Sequence, residues 1–175
     1  MDLMRREDRL SEILLFALTP PRLATAAGRV QEIADATIAR LRGLDLDGLI
    51  LYDIDDEAER NPAQRPFPFT PTLDPAVFLA DYLADWPTPV IVYRAVAKYA
   101  RADLRSWLSV QEPSKVLTVL VGAGSSRSSA ATVLTDAQAW SREVNPHLTV
   151  ATCSVSAKKL SGLRSRTMRP TTSIG

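Results

Sequence analysis

ILLFALTPPR, residues 13–22, is a compact apolar run from Ile13 to Leu18 closed by Thr19 and the pair Pro20-Pro21. A run this short, without two-residue alternation and ended by prolines, reads as a buried strand. The same kind of run recurs at GLILY (48–52), at Val90 to Tyr93 behind Pro89, and at VLTVLV (116–121), which ends in Gly122-Ala123-Gly124. Leu148 to Val150 begins a fifth. Between these runs the spacing turns helical. In 22–42, Val30, Ile33, Ala34, Thr37, Ile38 and Leu41 share a face, and Gly43 stands where a helix ends. Asp74-Pro75 is a helix start, a capping carboxylate followed by proline at the first helical position. Helices are therefore expected over 74–83, 102–108 and 134–144. Apolar strands alternating with helices define an α/β protein with a parallel sheet, expected to be covered on both faces. Periodicity leaves a barrel and an open doubly wound sheet equally possible.

The 175 residues suit one domain. At 46% apolar residues, 23% charged and a net charge of +1, nothing singles out a polyanion partner. A nucleic-acid function is not expected. No apolar run approaches the ~18 residues of a membrane span, and MDLMRREDRLSE lacks the apolar core of a secretory signal. With one cysteine, Cys153, no internal disulfide can form. The expectation is a cytoplasmic protein.

Two segments break the pattern. Residues 60–75 carry five prolines and neither helical nor strand period, as expected of a long extended loop. After Glu143 there is no acidic residue, while Lys158, Lys159, Arg164, Arg166 and Arg169 accumulate among serines and threonines. Residues 151–175 read either as a disordered basic tail or as sequence not selected for folding.

The exit of the first strand, FALTPPR (16–22), resembles the strand-one signature of methylenetetrahydrofolate reductases, commonly Phe-Glu-Phe-Phe-Pro-Pro. The order of elements also matches over about 140 residues: LILYDIDDEAER (49–60), PVIVYRAV (89–96), VLTVLVGAG (116–124) and NPHLTVA (145–151) fall where strands two to five would lie. The resemblance implies a partial (βα)8 TIM barrel over residues 1–150, with about five of eight strands. It further implies an oxidoreductase of one-carbon metabolism, passing hydride from NAD(P)H through FAD to methylenetetrahydrofolate. Three departures bear on that chemistry. Aligned on Pro20-Pro21, the family's strand-one acid falls on Ala17, its strand-three histidine on Tyr93, and its aspartate after the strand-four glycine on Ala123. Alanine side chains neither transfer a proton nor accept a hydrogen bond. A non-catalytic folate- or nucleotide-binding relative, or an inactive fragment, is therefore the alternative. An open barrel would also expose strand edges and favour a homo-oligomer.

In a (βα) barrel the active face lies at the carboxyl ends of the strands. There Asp53, Asp55, Asp56 and Glu57 crowd together, a potential proton donor or hard-cation site, or a solvated acidic loop. Asp53 and Tyr93 are the catalytic candidates. Thr19, Tyr52, Arg94, Gly122, Ser125 and Arg127 are the candidates for cofactor contact: Arg94 as a phosphate or carboxylate partner, or equally a partner of the strand-two acids. Gly122 to Arg127 could cradle a phosphate or form a plain connecting loop. No metal site is expected, since His147 is the single histidine and reads as a surface turn. Trp86, Trp107 and Trp140 read as packing residues.

Overall fold

The computed structural model describes residues 13–54, 70–122 and 134–153. The strands are β1 (Leu15–Leu18), β2 (Gly48–Leu51), β3 (Val90–Ala95), β4 (Val116–Val121) and β5 (Val150–Cys153). All pair in parallel, in the order β1-β2-β3-β4-β5. The helices are α1 (Ala27–Leu41), α2 (Pro75–Tyr82), α3 (Arg101–Ser109) and α4 (Leu134–Val144).

Strand order equals chain order, an arrangement compatible with part of a barrel. A doubly wound sheet needs the order to reverse at a switch point, and among the described strands it does not. With crossovers of one hand, sequential order stacks every helix on the same side of the sheet. Burial agrees. Along β3 and β4 alternate residues are buried and half-buried. The buried row of β2 and β3 (Leu49, Leu51, Val90, Val92) shares one core with Val30 and Ala34 of α1 and Phe78 of α2. Leu120 of β4 shares another with Leu104, Leu108, Ala137 and Trp140 from α3 and α4. The expected cover on both faces is thus corrected: the described residues cover one. The other carries Ile50, Ile91, Leu117 and Val119, and Ala17 on β1 stands in the same register.

The double proline has a structural consequence. The backbone N–H of Leu73 donates to the carbonyl of Pro21 at 2.8 Å, and that of Leu23 to Pro71 at 2.9 Å, around an antiparallel bridge between Arg22 and Thr72. This pairing holds 22–26 out of the helix expected to begin at residue 22, so α1 starts at Ala27. The fifth strand runs to Cys153, paired with Val121, so the boundary expected at residue 150 falls inside β5. The tail beyond 153 lies outside the described residues. Among the described residues no helix is long and apolar enough to cross a membrane.

Candidate functional site

The ladder between β2 and β3 ends with Leu51 opposite Val92. One step further toward the carboxyl end stand Tyr52 and Tyr93, on the open face. Their ring centres are 4.9 Å apart at an interplanar angle of 60°, an edge-to-face pair. Tyr52 is 36% exposed and Tyr93 half-buried. Burial, with smaller contributions from Tyr52 and Cys153, pushes the Tyr93 phenol above its ordinary range. It therefore stays a neutral hydrogen-bond donor at physiological pH. Below the pair, Ile50, Ile91 and Leu117 make the wall apolar.

On the helix side of the same ends lies a charged network. The side chain of Asp53 is fully buried. Its Oδ2 accepts from the backbone N–H of Ala95 at 2.9 Å and from the hydroxyl of Tyr99 at 2.7 Å; its Oδ1 accepts from Nζ of Lys98 at 2.7 Å. Nζ of Lys98 also donates to the carbonyl of Ile54 at 3.3 Å, which Thr72 Oγ1 approaches at 3.4 Å. Burying a carboxylate is tolerable only when it is paired and hydrogen-bonded, and this one is both. Burial first, then the Asp53 and Asp74 carboxylates, drive the Tyr99 phenol upward against the opposing charge of Arg94. Tyr99 thus remains a donor to Asp53 far into alkaline pH.

Arg94 is 3% exposed. Its Nη1 donates to Oδ1 of Asp74, and its guanidinium lies 3.7 Å from the ring centre of Tyr99 and 4.6 Å from that of Trp107. The same Asp74 oxygen caps α2 by accepting from the N–H of Ala76 at 2.7 Å. Nε of Arg94 is buried without a partner among the described residues. Asp53, Tyr99, Arg94 and Asp74 therefore form one chain of contacts linking the exit of β2, the exit of β3 and the start of α2.

The sequence-derived candidates fall in different places. Tyr52 and Tyr93, named separately as a cofactor contact and a catalytic candidate, meet as a ring pair at the carboxyl ends of β2 and β3. Thr19 is exposed just past β1. Arg94, expected as a partner of a cofactor or equally of the strand-two acids, meets neither among the described residues: β3 turns it to the helix side, where Asp74, Tyr99 and Trp107 enclose it. Asp53, expected as a catalytic residue, has its oxygens occupied by three donors, the arrangement of a residue that holds the surrounding chain in place. Gly122 ends β4, where a side chain would meet Leu134 of α4 at 3.3 Å. Its small size serves the packing of α4 on β4. Ser125 and Arg127, with Ala123, Asp55, Asp56 and Glu57, lie outside the described residues. Among the described residues no group of three histidine, cysteine or acidic side chains could hold a metal ion. Lys98, Tyr99 and Asp74 complete the network around Asp53 and Arg94. They sit 21 to 46 residues from Asp53, too far for any local motif to join them.

No protein-family model matches this sequence, and no curated protein matches it. Among solved structures, the chain is similar to an uncharacterized protein from Clostridium thermocellum that binds two copies of 5-methyl-5,6,7,8-tetrahydrofolic acid. The identity is 31% and the TM-score 0.63, over 80% of this chain and 43% of that one. The chain thus spans less than half the length of that protein.

Proposed function

We propose that this chain binds a reduced folate at the carboxyl ends of its strands. The observation that carries the reading is its 31% identity, across 80% of its length, to a protein that binds 5-methyltetrahydrofolate. The geometry supplies a fitting surface. Tyr52 and Tyr93 offer aromatic faces and two hydroxyls beside an apolar wall, the combination that suits a planar heterocycle with polar edges. The same likeness, with the sequential strand order, favours reading the sheet as the first part of a (βα) barrel.

Binding is the function proposed, not reduction. The methylenetetrahydrofolate reductase resemblance would bring FAD and NAD(P)H, but the strand-one acid of that family is replaced by Ala17, and Arg94 is turned away from the open face. These residues support a folate-binding relative better than a reductase. A thermal-shift panel tests the distinction. A ligand at about 100 times its dissociation constant adds about 2.7 kcal/mol to stability. The proposal expects 5-methyltetrahydrofolate to raise the melting temperature by several degrees, while FAD and NADH leave it unchanged. A shift with FAD but none with the folate would overturn it.

A further inference from the structure

We infer that Asp53 is a positioning residue for the ligand-binding end of the sheet, setting the Tyr52–Tyr93 pair through its bonds to Ala95, Lys98 and Tyr99; the inference rests on the folate-binding reading. The argument starts where the backbone ladder stops. Residue pairing between β2 and β3 ends at Leu51 opposite Val92, although β3 continues to Ala95 alongside β4. Beyond that point the described hydrogen bonds between the two exits are made by a side chain. The Asp53 carboxylate takes the N–H of Ala95, which β2 does not take by its backbone. Tyr52 immediately precedes Asp53, and Tyr93 lies two residues before Ala95. Fixing Asp53 on Ala95 therefore fixes the two tyrosines opposite each other.

The bond is reinforced from two further directions. Lys98 holds Oδ1 and the next carbonyl, that of Ile54. Tyr99 holds Oδ2 while its ring carries Arg94, which in turn holds the cap of α2. Tyr52 itself is anchored on the other side by its N–H to the carbonyl of Leu18 on β1. The result is a rigid exit for β2 with one residue, Tyr52, presented to the open face. Rotamers locked by surrounding hydrogen bonds are what a preorganised site requires.

The test uses Asp53→Asn, Lys98→Met and Lys98→Arg, none of which alters a chromophore. Two readouts are taken well below the melting temperature: affinity for 5-methyltetrahydrofolate by calorimetry, and the near-ultraviolet tyrosine circular dichroism of the ligand-free chain. We expect Asp53→Asn and Lys98→Met to weaken binding at least tenfold and to diminish the tyrosine signal. Lys98→Arg, which keeps a donor on Oδ1, should recover most of both. A purely structural part for Asp53 would lower the melting temperature yet leave both readouts of the folded chain unchanged, which overturns the inference. If the wild-type chain binds no folate, the function proposed above fails. The tyrosine signal, recorded in a Tyr99→Phe background because Tyr99 itself bonds Asp53, then decides the positioning role by itself: lost in Asp53→Asn it stands, retained it falls.

Discussion

The guanidinium of Arg94 lies 3.7 Å from the centre of the Tyr99 ring and is bonded to the carboxylate of Asp74, so a single buried cation joins β3 to the start of α2. Removing one partner of a buried pair costs about 3–5 kcal/mol. The Asp74 side chain keeps 28% of its surface in water, which moves the expectation for Arg94→Met to the lower end, about 3 kcal/mol. Asp74→Ala loses the cap as well as the pair. The double variant should be less destabilised than the sum of the two, since the partners share one interaction. Urea denaturation midpoints of the four proteins check this. Additivity would mean that the pair contributes nothing of its own.

The alkaline limb of the stability curve should report on Tyr99. Its phenol is raised above the ordinary value of 10.0 in the folded chain. The folded state then holds the proton more tightly than the unfolded state does. That contribution is fully present below about pH 10, and is lost as pH rises beyond it. Stability should therefore fall steeply above about pH 10. Tyr99→Phe should flatten that fall while costing about 1 kcal/mol at pH 7 for the lost bond to Asp53. An unchanged slope in Tyr99→Phe would place the titrating group elsewhere.

Gly122 should resist enlargement. A methyl group there meets the Leu134 side chain at 3.3 Å, so Gly122→Ala forces the start of α4 to give slightly. About 1 kcal/mol of destabilisation is expected, the low end of overpacking costs. Gly122→Ala in a Leu134→Ala background should cost less than in the wild type. Thermal melts of the three variants decide it.

The open face should discriminate between the two parts of a tyrosine. If the rings contribute the contact area and the hydroxyls orient the ligand, Tyr93→Ala should weaken folate binding more than Tyr93→Phe does. Aromatic contact beyond area burial is worth about 0.5–1.5 kcal/mol, which corresponds to roughly twofold to twelvefold in affinity. Fluorescence titration of both variants compares them. Equal losses would assign the whole effect to the hydroxyl.

Much of the fold was legible because its signals are local. The apolar runs at 13–18, 48–52, 90–93 and 116–121 each coincide with a strand to within two residues. Asp74-Pro75 starts a helix for the reason the sequence suggests, a carboxylate accepting from Ala76. What was not legible depends on contacts distant in sequence. The choice between a singly and a doubly wound sheet lies in strand order, which no window of residues contains. For Arg94 the sequence offers a cofactor or the strand-two acids as partners, whereas the acid it meets is Asp74, 20 residues away at the start of α2. Asp53 read as one of four crowded acids, whereas its donors come from β3 and the turn after it, 42 to 46 residues on. Only the tyrosine pair was visible in part, through the equivalent places of Tyr52 and Tyr93 at their strand ends.

Calorimetric titration of the purified chain with 5-methyltetrahydrofolate, run beside a Tyr52→Ala/Tyr93→Ala variant of equal helix content, tests the central claim most directly. The account predicts saturable binding to the wild-type chain and its loss in the double variant. Undetectable heat and unchanged fluorescence in the wild type, or equal affinity in both proteins, would contradict it.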